Sequence, residues 1–163
     1  MIPKTIKILL LLMIFSGCKS VVEKESKLDN GLYYIASDIS RDKLKLGFDI
    51  ADSLSKQLIC SSDVYEWKLH HREGLTFNFL TKDMMFLSLF KVKDVYYAGL
   101  TSSRLDESDW IIQEYDDERY KIINKKYKLC MNLKGQYSDL LRPVTFAKSN
   151  NNPYEFWHLV KMD

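Results

Sequence analysis

Hydrophobic and polar positions alternate along much of the chain after Gly31. Tyr65, Trp67 and Leu69 interleave with Glu66, Lys68 and His70, and Leu75, Phe77 and Phe79 with Thr76 and Asn78. A period of two places one set on a single face of a strand, so two strands are predicted, joined by a hairpin loop at His71-Arg-Glu-Gly74. Met84 to Val92 is mostly apolar and of strand length, which predicts a strand buried on both faces. Lys93-Asp94 then turns the chain into Val95–Leu100. Trp110–Tyr115 and Arg119–Asn124 flank the polar stretch Asp116-Asp-Glu118, a second hairpin signal. Tyr127–Leu133, Val144–Ala147 and Tyr154–Lys161 are predicted as the last strands, with Asn150-Asn-Asn-Pro153 as a loop.

Residues 41–59 carry two patterns. Leu44, Leu46, Phe48 and Ile50 alternate as in a strand, whereas Ala51, Leu54 and Leu58 have helical spacing. A strand followed by a short helix is the reading, with one further helical turn at Ser138–Leu141. About eight to ten strands with short connections imply neighbours paired in order. The expected class is α+β, predominantly antiparallel β: a curved sheet or partial barrel, closed at one end by one of one or two short helices. No internal repeat of fixed period is visible. Aromatics make up 13% of the chain, which suits a pleated, half-buried surface.

The N-terminus follows other rules. Lys4 and Lys7 precede an unbroken apolar run, Ile8–Phe15, and then Ser16-Gly17-Cys18. A membrane-spanning helix needs about 20 apolar residues, so the run has the length of a signal-peptide core instead. Phe15-Ser16-Gly17-Cys18 resembles the lipobox of bacterial lipoproteins, with Phe15 where leucine is most common. The resemblance implies cleavage before Cys18, a diacylglycerol on its thiol and often a third chain on its new amine. Two or more acyl chains anchor a protein stably, whereas one gives marginal binding. The organisation expected is a signal peptide at 1–17, lipidated Cys18 and a flexible tether through Asn30, and one β-rich domain over 31–163. The tether's Glu-Lys-Glu-Ser-Lys stretch is similar to the charged export signal of surface lipoproteins of Bacteroidota. The location implied is the cell envelope, on the outer membrane, with the face left open.

Processing changes the charge. The precursor holds 24 basic and 22 acidic residues, but loss of Lys4 and Lys7 leaves 22 of each. No basic surplus or nucleic-acid motif then points to nucleic acid. Cysteine arithmetic changes too. With Cys18 lipidated, Cys60 and Cys130 remain as an even pair in an oxidising compartment. A disulfide between them is one reading, and two separate buried thiols the other.

Catalytic motifs are scarce: no nucleophile elbow, phosphate loop, dinucleotide fingerprint or His-Glu-x-x-His. His70 and His71 are adjacent on a strand end and point to opposite faces, which disfavours zinc. The acids from Asp106 to Glu118 lack the spacing of a calcium loop, and with Lys121, Lys125, Lys126 and Lys128 they suggest cross-strand pairing. No cofactor is expected. Tyr33-Tyr34, Tyr96-Tyr97 and Tyr154 with Phe156-Trp157 each put one ring in and one out. The outward rings are candidates for a recognition surface, with Tyr154, Phe156 and Trp157 the first choice. Gly31–Ile35, Leu58–Val64 and Gly74–Phe79 are together similar in outline to the periplasmic domain of SecD-type export proteins, which implies an interaction domain. The reading is a membrane-anchored, non-catalytic domain that binds an envelope partner, a protein in an inhibitor or immunity-like role first. The alternative is an envelope hydrolase or glycan-binding protein.

Overall fold

The computed structural model describes residues 27–48, 56–116, 118–134 and 142–163. Its strands are β1 (Gly31–Ser37), β2 (Lys43–Phe48), β3 (Lys56–Ser61), β4 (Trp67–Glu73), β5 (Thr76–Leu80) and β6 (Phe86–Val92). They continue as β7 (Val95–Thr101), β8 (Trp110–Glu114), β9 (Tyr120–Asn124), β10 (Cys130–Leu133), β11 (Arg142–Ala147) and β12 (Trp157–Lys161). Single 3-10 turns at Asp106–Ser108 and Pro153–Glu155 precede β8 and β12.

Every recorded pairing is antiparallel. β1 pairs β4, β4 pairs β5, β5 pairs β8, β8 pairs β9, β9 pairs β12, and β12 returns to β1. Six strands thus close into a barrel with no free edge. The other six form three hairpins, β2–β3, β6–β7 and β10–β11. β3, β7 and β11 contact one another, so the hairpins meet as a cap on the barrel.

The architecture is three-fold. Trp67, Trp110 and Trp157 open β4, β8 and β12, and all three are fully buried. Their indole N–H groups donate to Leu44 O, Leu87 O and Met131 O, each at 3.0 Å. A buried indole offers about 4–6 kcal/mol of apolar transfer energy, and the carbonyl supplies the partner its N–H requires. Three residues before each acceptor, the backbone is left-handed: Arg41 (φ 60°), Met84 (φ 59°) and Lys128 (φ 57°). In each repeat that residue closes a turn at the end of the repeat's first strand or on the residue just past it: Arg41 N donates to Ser37 O, Met84 N to Thr81 O and Lys128 N to Asn124 O, all at 2.9 Å.

This corrects three expectations. The barrel is closed, not partial. Among the described residues its end is capped by hairpins, and Leu58, expected in a helix, belongs to β3. The rest of the expected helix, with Ser138–Leu141, lies outside the described residues. A repeat is present although no fixed period is legible, because the equivalent residues differ in type and spacing.

Candidate functional site

An open groove of about 550 Å³ lies along the seam where β1 meets β12, with β2 and β9 at its sides. Tyr34, Arg41 and Lys43 come from the first repeat, and Glu118, Tyr120 and His158 from the approach to β9 and from the third repeat. Strand alternation explains Tyr34. Its neighbours Tyr33 and Ile35 point into the core, so it points out. Burial and the nearby Glu114 carboxylate raise the Tyr120 phenol above its ordinary value, which keeps it a donor.

The groove is backed by a chain of polar contacts. His158 Nε2 lies 2.7 Å from Asp38 Oδ1, and Asp38 Oδ2 lies 3.5 Å from an Arg119 amino nitrogen. Asp38 N also donates to Phe156 O at 3.0 Å. Arg119 pairs closely with Asp116 as well. Arg119 and the Lys121 ammonium both face the rings of Tyr115 and Phe156, whose centroids are 4.5 Å apart. These contacts join β1, the β8–β9 turn and the start of β12 into one rigid wall.

The outward position held by Tyr34 is filled differently in the other repeats. Tyr33 stands opposite Trp67 and Phe77 opposite Trp110, as Tyr120 does opposite Trp157, so Tyr34, Asn78 and Lys121 are equivalent. Asn78 Nδ2 donates to Ser108 O and to Asp109 Oδ1, both at 2.8 Å, and Asn78 is fully buried. Arg104 holds Asp109 with two hydrogen bonds, of 3.0 and 2.5 Å. Burial pushes the Asp109 carboxyl up, but the bonds from Arg104 and Asn78 outweigh it and hold it below its ordinary value. Lys121 Nζ lies 3.3 Å from Glu155 Oε2 and donates to Ser149 Oγ at 2.7 Å and closely to Asn151. Glu155 also accepts from Ser149 Oγ at 2.6 Å and Asn150 N at 2.8 Å. Thus the loops 102–109 and 148–156 fold back over the outer faces of β5 and β9. The shorter connection 62–66 makes no recorded hydrogen bond to Tyr34.

The residues singled out from sequence fall elsewhere. Cys18 lies outside the described residues. Cys60 and Cys130 are both fully buried on β3 and β10, and they stand as thiols, not as the bonded pair that was one reading. Burial, with the Glu155 carboxylate adding to it, pushes the Cys130 thiol up to about 12. Tyr154, Phe156 and Trp157 do not form an exposed surface. Trp157 is a core residue, Phe156 is 5% exposed, and Tyr154 is half-buried. Four of the acids of 106–118 are taken by cations: Glu107 by Lys126, Asp109 by Arg104, Glu114 by Lys27 and Asp116 by Arg119. Lys125 and Lys121 pair with Glu73 and Glu155, so the expected pairing across the β8–β9 hairpin is replaced by longer-range contacts. His71 Nε2 contacts Gly74 O at 2.9 Å, and among the described residues no three metal-ligating side chains come together. Tyr33-Tyr34 does divide as expected, one ring in and one out.

No protein-family model and no curated protein sequence matches the chain. Solved structures do. A designed three-fold symmetric protein, ThreeFoil, superposes with a TM-score of 0.68 at 16% identity, over 81% of this chain and 99% of its own. The chain has a β-trefoil fold. The Polyporus squamosus lectin, solved with the epitope Neu5Aca2-6Galb1-4GlcNAc, shares it at TM-score 0.67 and 22% identity, over 83% of this chain and 50% of the lectin. SeviL, solved bound to asialo-GM1 saccharide, shares it at 0.61 and 16%, over 83% and 100%. Within this β-trefoil the groove occupies the seam between the first and third repeats.

Proposed function

We propose that the mature protein is an envelope lipoprotein, anchored through acylated Cys18, whose β-trefoil domain binds a glycan and does not process it. The groove at the β1–β12 seam carries this reading. Tyr34 offers a ring for the apolar side of a sugar, and Glu118, Arg41 and Lys43 offer hydrogen bonds to hydroxyls. A concave site with aromatic walls and a few polar groups is the usual form of a small-ligand site. Sequence alone puts a protein partner first; the groove moves glycan ahead of it, and the saccharide-bound structures of like fold support that order. Hydrolysis in most glycosidases uses two facing carboxylates, and the residues lining this groove include one, Glu118. The tether supplies reach, and confinement to the membrane raises the local concentration of the domain against envelope glycans.

A glycan array probed with the full chain in detergent tests the binding. Retention of a defined glycan class, lost in Tyr34→Ala, supports the reading. Binding untouched by Tyr34→Ala would move the site away from the groove. Fatty-acid labelling that persists in Cys18→Ala would refute the anchor.

A further inference from the structure

The groove is unevenly charged. Arg41, Lys43 and Lys161 line it against the single carboxylate of Glu118. Lys161 already faces Asp29 at 3.6 Å. No ion pair is recorded for Arg41 or Lys43 among the described residues, and the two stand on the same turn and strand start, two positions apart. Asp42, which lies between them in sequence, has contacts of its own, and Asp38 is turned to His158 and Arg119. The groove therefore presents two cations with no ion pair among the described residues beside the outward Tyr34 ring, with Tyr120 packed against the core at its floor.

It is also unrepeated. The equivalents of Tyr34 are Asn78 and Lys121, and each is buried beneath its own repeat's loop. The long loops 102–109 and 148–156 consume the outer faces of β5 and β9, whereas 62–66 leaves that of β1 open. Three-fold symmetry of the backbone thus coexists with a site that only one repeat can build.

We infer that the groove is a single-copy site for an acidic saccharide, in which Arg41 and Lys43 receive a sugar carboxylate while Tyr34 packs on the ring. This rests on the glycan-binding reading and adds to it the class of sugar and the number of sites. A carboxylate is the planar group that a guanidinium fork matches with two parallel bonds. Glu118, on the other wall, orients the ring by accepting from hydroxyls and repels a second acid.

Isothermal titration of the full chain in detergent tests it, with glucuronic acid, N-acetylneuraminic acid, glucose and inorganic phosphate as probes. Glucuronic or N-acetylneuraminic acid is expected to bind about tenfold or more tighter than glucose at low salt, since charge-assisted hydrogen bonds are the stronger kind. One site per chain is expected, and the preference shrinks in high salt. Arg41→Gln with Lys43→Gln removes the preference and leaves the thermal unfolding curve in place, because neither side chain is part of the core. Equal affinity for acidic and neutral sugars would overturn this inference and leave glycan binding standing. Three sites per chain would overturn the single-copy claim. Phosphate bound as tightly as the acidic sugars would show a bare anion site and overturn the saccharide claim. An array and titration both blank would overturn the glycan reading itself.

Discussion

Lys121→Met isolates the charge of the lysine that pins the third repeat's loop. Methionine keeps most of the stem's packing and removes the ammonium. Lys121 is 7% exposed and Glu155 is 1% exposed, so solvent screens the pair little. At 3.3 Å the Coulomb attraction is on the order of 5 kcal/mol for an effective dielectric of 20. Breaking a buried pair from one side costs about 3–5 kcal/mol, because the remaining charge loses its partner. Glu155 keeps its bonds from Ser149 and Asn150 N, which places the expected loss near the lower figure. That is a large part of the stability of an ordinary domain, about 5–15 kcal/mol, and corresponds to a fall in Tm of about 10 °C. Urea unfolding followed by tryptophan fluorescence measures it. The double variant Lys121→Met/Glu155→Gln should recover much of the loss, since no buried charge is then orphaned. The acid limb adds a second readout. Burial pushes the Glu155 carboxyl up, but the bonds from Ser149, Asn150 N and Lys121 win and hold it below its ordinary value. Its contribution is therefore complete above the unfolded-state pKa, near 4.3, and disappears as pH falls through the lower folded value. Glu155→Gln should flatten that part of the acid profile. A loss below about 1 kcal/mol in Lys121→Met, with no gain in the double variant, would refute the account of this pair.

Other outcomes follow from the same structure. Cys130, with its thiol raised to about 12, and the fully buried Cys60 should resist alkylation at pH 8 in the native protein and react on unfolding; rapid native labelling would contradict the burial. Trp67→Phe and Trp110→Phe should each cost about 1–3 kcal/mol beyond lost packing, because Leu44 O and Leu87 O lose their donors, and denaturant melts should give similar values for the two. Lys128→Gly should raise stability, by up to about 1 kcal/mol, since its left-handed backbone is strained for a side chain; a drop would mean that the side chain's contacts outweigh the strain. Arg104→Ala should destabilise by about 1–3 kcal/mol, by stranding the Asp109 carboxylate, as read from thermal unfolding.

Much of the β structure was legible. β4 with β5, β6 with β7, and β8 with β9 follow from alternation and from their turns, because local period and turn chemistry act over a few residues. The three-fold order was not. Leu44, Leu87 and Met131 share one role, as do Ser37, Thr81 and Asn124, yet nothing in their types marks them as equivalent. Burial and a backbone carbonyl are all that the role requires. The misplacement of Trp157 has a local cause. Asn152 Oδ1 accepts from Tyr154 N at 2.9 Å, and with Pro153 it sets a 3-10 turn. That turn resets the strand phase, so alternation counted from Tyr154 assigns the wrong face. The groove joins Tyr34 to His158 across nearly the whole chain, and pairing at that range leaves no local trace.

The closing pair of the barrel has a consequence for how the protein is made. Tyr33 of β1 is registered against Lys161 of β12, so the first strand waits for the last. At synthesis rates of about 5–20 residues per second, β1 leaves the ribosome roughly 6–26 s before its partner. Throughout that interval the ring is open. The envelope lipoprotein proposed above would gain from such a delay, because its barrel cannot close until β12 has been made.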